Sequence, residues 1–228
     1  MKRTQKGFPT RLRLWEGAIL ATVVQAIRQA SSARRRYERR WEGRTYCLDD
    51  EQGGQGAVSF GGDGLVGAFF DHESPRSPWA PGGRYPLDRL FAGIPASLFE
   101  LAQRQIFPRL STEYEGKQIP LVTAAFWSKD DSLTAAEPWS KVVEHNADLI
   151  RIEIMEQSVA LVGWEKESGF SSAQSAFVRS LFDRRMASSE QPVVVGAWER
   201  EILIGEGDAG LEHSRELLAA VNIILPWA

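Results

Sequence analysis

Cysteine occurs once in this chain, at Cys47, so no intramolecular disulfide framework and no multi-cysteine zinc site is open to it. That points to a reducing, cytoplasmic setting. No apolar run approaches the ~20 residues that a membrane span needs. Histidine is nearly as scarce, with only His72, His145 and His213, and none of the three repeats at ligand spacing. His213 and Glu216 fall one helical turn apart, which is the spacing of a solvated helix face. No metal site and no cofactor are implied. The serines sit in no glycine-flanked nucleophile pattern, and "GGDGLVG" lacks the Lys-Ser/Thr ending of a phosphate loop. It reads as a hairpin turn.

With 43% hydrophobic and 25% charged residues, 228 residues can bury a sizeable core. The start, with a basic lead, an apolar stretch and small residues near Ala33, has the outline of a secretory signal. Glu16 and Gln25 interrupt the apolar stretch, so it is read as part of the working chain. The net charge of -3 conceals an imbalance, because residues 1–44 hold 12 of the 27 Lys and Arg and only 3 of the 30 Asp and Glu. A basic lead therefore precedes an acidic body. Such asymmetry marks either an arm for an acidic partner or an arm that lies on its own body.

Trp15, Ile19, Val23, Ala26, Ala30, Ala33, Tyr37 and Trp41 step by three or four, which predicts one helix over 14–42. The helix should begin buried and finish at the surface, with Arg28, Arg35, Arg36 and Arg39 gathered on its outer side. "TYCLDD", "AVSF" and "LVGAFF", separated by glycine-rich turns, predict an antiparallel meander. Residues 74–86 read as an ordered loop, and "IPASLFELAQRQIF" as a helix with Pro95 in its first turn. "IPLVTAAFW" (119–127) reads as a buried strand and 134–146 as a short helix. The alternation of Ile150, Ile152 and Ile154 against Arg151 and Glu153 predicts a strand pair over 149–165. Residues 171–186 read as a helix, "QPVVVGAWEREILIG" as strand, and the chain should close on a helix. The pattern is that of an α+β fold with a long N-terminal helix and mostly antiparallel strands. A single domain over 1–228 is expected, with 108–137 as the place where a division would fall.

The abrupt end of an apolar run at "GAFFDHESPRSP" (67–78) is the main candidate site. One reading makes His72 a general acid or base, Asp71 or Glu73 its orienter and Arg76 the holder of an anion. The other makes Asp71 and Ser74 a turn, their side-chain oxygens taking backbone amides, with Arg76 paired to a carboxylate. Strand alternation would put His72 opposite Asp71 and Glu73, which favours the turn. Arg35 and Arg39 are candidate phosphate contacts, although Glu38 and Glu42 are placed to neutralise them and a sequence pI near 5.7 disfavours nucleic acid as the partner. Of the eight tryptophans, Trp15, Trp127, Trp164 and Trp198 are expected in the core. Trp79, between two prolines, is a candidate anchor for a partner. These features favour protein binding over catalysis. A bacterial toxin-neutralising (immunity-type) or accessory protein is the kind of role expected, with a pocket around His72 as the enzymatic alternative.

Overall fold

The computed structural model describes residues 9–226 apart from 31, 33–37, 63, 82–85, 115, 189 and 205–208. In chain order the elements are α1 (Arg11–Ala30), β1 (Arg39–Glu42), β2 (Thr45–Asp49), β3 (Gly54–Gly61), β4 (Gly64–Asp71), α2 (Leu87–Leu90) and α3 (Ala96–Leu101). Then come β5 (Ser111–Tyr114), β6 (Lys117–Pro120), β7 (Ala124–Ser128), α4 (Trp139–Glu144), α5 (Gln157–Ser168), α6 (Ser172–Ala187), β8 (Val193–Val194), α7 (Ala197–Ile204), α8 (Leu211–Ala220) and β9 (Ile223–Ile224). The fold is α+β. Two compact units emerge, Met1–Leu12 with Glu42–Arg151 and Arg13–Trp41 with Ile152–Ala228. The stretch 108–137 lies wholly inside the first.

The first unit is organised by a sheet in which β2, β3, β4 and β7 pair antiparallel in that order. The meander read from the glycine spacing is present. Asp50 carboxylate accepts the amides of Gln52 and Gly54, and Glu51 and Gly53 take positive φ to turn the chain from β2 into β3. Leu65 through Phe70 are all buried, so β4 reads as a continuous apolar run because both its faces are covered. Val66, Ala68, Ala125 and Trp127 pack on one face against Leu90, Leu98 and Ile106. On the other, Phe69 stacks on Phe126 at 5.8 Å, and Trp139 of α4 meets Phe126 edge-on.

The expected strand over 119–127 divides in two. Lys117–Pro120 pairs with β5 in a separate hairpin, and only Ala124–Ser128 joins the main sheet. Leu121–Thr123 make the transfer between them.

The second unit holds most of α1 with α5–α8 and the short parallel pair β8–β9. The helix predicted over 14–42 stops at Ala30, and its far end returns as β1. Trp41 explains the change. Its indole N–H reaches back to Thr22 Oγ1 at 2.9 Å, so the apolar stripe is buried by the chain doubling back rather than by the helix continuing. Nor does α1 surface toward its end, since every residue from Gly17 to Ile27 is buried. The strand pair predicted over 149–165 is replaced by a 3-10 turn (Ala147–Ile150), further turns and α5. Glu153, fully buried, breaks the polar alternation on which that reading rested. "QPVVVGAWEREILIG" gives two strand residues and then α7, where Glu199 carboxylate accepts the Gly196 amide at 2.7 Å and starts the helix. Trp198, expected in the core, is 58% exposed because Glu199 takes the inward position of that first turn.

Gly17 shows how closely α1 is approached. A Cβ there would lie 1.8 Å from the carbonyl oxygen of Glu153. Gly17→Ala, worth up to ~1 kcal/mol in an exposed helix through propensity alone, is therefore expected to destabilise by about 1–3 kcal/mol or more through overpacking against backbone. Urea unfolding gives the sign directly.

Candidate functional site

Beyond β4 the chain enters a series of tight turns, whose hydrogen bonds engage the side chains of Asp71, Ser74 and Ser77. Asp71 Oδ1 accepts the amide of Glu73 at 2.8 Å, and its carbonyl accepts that of Ser74. Ser74 Oγ accepts the Arg76 amide at 3.2 Å, and Ser77 Oγ that of Trp79. The turn reading of this segment describes its geometry.

The turns are clamped from beneath by three residues of the same unit. Thr123 Oγ1 accepts the Asp71 amide at 3.0 Å and donates to the His145 carbonyl at 2.9 Å. Ser74 Oγ and His145 Nδ1 are 3.0 Å apart, both side chains buried. Arg76 extends a bidentate fork to Glu137, both contacts 2.6 Å, and donates to the Thr123 carbonyl. His145 follows α4, and Asn146, at a φ of 95°, turns the chain so that its amide reaches the Phe70 carbonyl. Burial, and then the nearby Arg76 guanidinium, hold the His145 imidazole below its ordinary pKa, so it is neutral at neutral pH. The Lys141 ammonium hydrogen-bonded to Glu144 keeps that carboxyl below the usual range.

Ser74 and His145 have the contact distance of a nucleophile and its base. Ser74 is 2% exposed, however, and its oxygen already receives the Arg76 amide, so the pair acts as a clamp. Sequence reasoning missed it, since 71 positions separate the two and neither lies in a local motif.

On the outer side the loop presents His72, Glu73 and Trp79, all exposed. The His72 ring tilts against Trp79 at 5.3 Å between centroids, and Phe70 meets Trp79 edge-on at 5.5 Å. The His72 amide donates to the Gly53 carbonyl, so the acidic β2–β3 turn with exposed Asp50 and Glu51 lies alongside. Among the described residues of this region, the cations Arg76 and Lys141 are engaged with Glu137 and Glu144.

Of the remaining candidates, Arg39 is not on a helix. Its Nε donates to Glu153 at 3.0 Å while the guanidinium lies 4.5 Å over Trp164. Arg28 pairs with Glu38, and Arg35 lies outside the described residues. His213 and Glu216 meet at 3.0 Å on α8. Among the described residues no group of three or more His, Cys, Asp or Glu side chains is placed to hold a metal ion, and no helix is long and apolar enough to cross a membrane. Comparison of the chain with protein-family models, curated proteins and solved structures returns no significant match.

Proposed function

We propose that this protein binds another protein, with the clamped loop 71–81 as the docking element and Trp79 as its anchor. The observation that carries the reading is Trp79 itself, 44% exposed yet packed against Phe70 and His72 on a loop whose backbone is fixed by Ser74, Arg76 and Thr123. A large aromatic held in place before binding loses little conformational entropy on docking, which is the character of an interface hot spot. The carboxylates around it, with Arg76 and Lys141 engaged by Glu137 and Glu144, favour a basic partner surface. Charge complementarity of that kind speeds encounter and rejects acidic competitors. A neutralising or accessory role toward a basic bacterial protein fits this chemistry.

Engagement of Arg28 and Arg39 with carboxylates weighs against phosphate binding by that segment. A native capture from the host, treated with nuclease and washed at low and high salt, tests the reading. A stoichiometric partner that survives nuclease and is lost on Glu51→Lys/Glu73→Lys charge reversal supports it. A partner that binds the reversed variant equally well refutes the acidic docking face.

A further inference from the structure

Resting on that docking reading, we infer that Ser74 and His145 form a proton-operated latch, releasing the Trp79 loop as the surroundings turn mildly acidic. The geometry supplies the reason. Ser74 Oγ receives the Arg76 amide at 3.2 Å, which leaves its own proton free to be donated to His145 Nδ1, 3.0 Å away. That arrangement requires a neutral imidazole with its proton on Nε2. Protonation turns Nδ1 into a donor. The serine oxygen then faces two donors, and its hydroxyl proton loses its acceptor in a site where Ser74 is 2% and His145 7% exposed.

The surrounding charges add to the effect. Arg76 and Lys141 oppose a further cation, while Glu137 and Glu144, which would welcome one, are already paired with Arg76 and Lys141 respectively. Thr123 Oγ1 donates to the His145 carbonyl at 2.9 Å and accepts the Asp71 amide. The His145 pKa lies below that of the unfolded chain, so the latch contributes fully above about pH 6.5 and is lost as pH falls through the lower folded value. Loss of the latch frees the Ser74 and Arg76 turn, and with it the position of Trp79.

Amide hydrogen exchange of residues 73–80 in the free protein, corrected for intrinsic rates, tests this at about pH 7.5 and 5.5. Wild-type protection should fall by about tenfold at the lower pH, equivalent to ~1.4 kcal/mol and within the range for an unsatisfied buried hydroxyl. His145→Asn keeps an acceptor toward Ser74 but cannot be protonated, and its protection should not change between the two conditions. His72 is retained in that variant, so a change that persists there does not come from His145. Ser74→Ala, should His145→Asn not fold, is expected to show low protection at both pH values. Constant wild-type protection, or an equal fall in either variant, overturns the latch. Since no partner is present, this result is separate from the docking reading, which fails on its own terms if no partner binds the wild type at the higher pH.

Discussion

Arg39→Ala is expected to destabilise the protein by about 3–5 kcal/mol, the order of cost of removing an ion-pair partner from a buried charge. Glu153 is completely buried, and the Arg39 side chain that meets it at 3.0 Å is itself only 15% exposed. The alanine variant loses the stacking on Trp164 as well. Thermal unfolding should register a drop of roughly 6–20 °C for a chain of this size. Arg39→Lys restores the charge without the planar fork or the stack, and should recover part of the loss. Adding Glu153→Gln to Arg39→Ala should also recover part, because it removes the buried negative charge that Arg39 meets. If Arg39→Ala instead leaves the midpoint where it is, this arginine is not the structural staple described here, and its availability to an external anion is restored.

Trp79→Ala is expected to weaken partner binding by about 30-fold or more, corresponding to at least 2 kcal/mol for a hot-spot aromatic. Stability should hardly move, since nearly half of the side chain is exposed and the loop backbone is fixed through Ser74 and Arg76 rather than through the indole. That separation distinguishes an anchor from a packing residue. Arg76→Ala should affect both quantities, because it strips Glu137 of a bidentate partner and releases the turn that carries Trp79. Isothermal calorimetry with the captured partner, beside urea unfolding of each variant, measures the two effects independently.

The parts of this fold that were legible in the sequence are those in which local chemistry and tertiary packing agree. Glycine-rich turns delimit the β2–β4 meander, and the Ser171–Gln174 capping box opens α6 at the start of the helix read over 171–186. Two of the failures share one cause. Ile150, Ile152 and Ile154 alternate as a strand would, yet Glu153 between them is buried because Arg39, 114 positions earlier, meets it. Trp41 extends a helical period, yet it reaches Thr22 from a strand. In both cases a distant partner changes the meaning of a local pattern, and periodicity carries no record of it. The turn at 71–77 was readable because Asp71 and Ser74 bond to amides two residues on. Its clamp was not, since Thr123, Glu137 and His145 come from three later segments whose only signature is their convergence.

The central claim, that a protein partner docks on the Trp79 loop, is tested most directly by placing a photo-activated cross-linking amino acid at position 79 in the host. The same group at Val162, 61% exposed on α5, serves as the reference. A discrete adduct to one protein at position 79, absent at 162 and reduced by Glu51→Lys/Glu73→Lys, is the predicted result. Adducts at 79 no more abundant than those at 162 would contradict it.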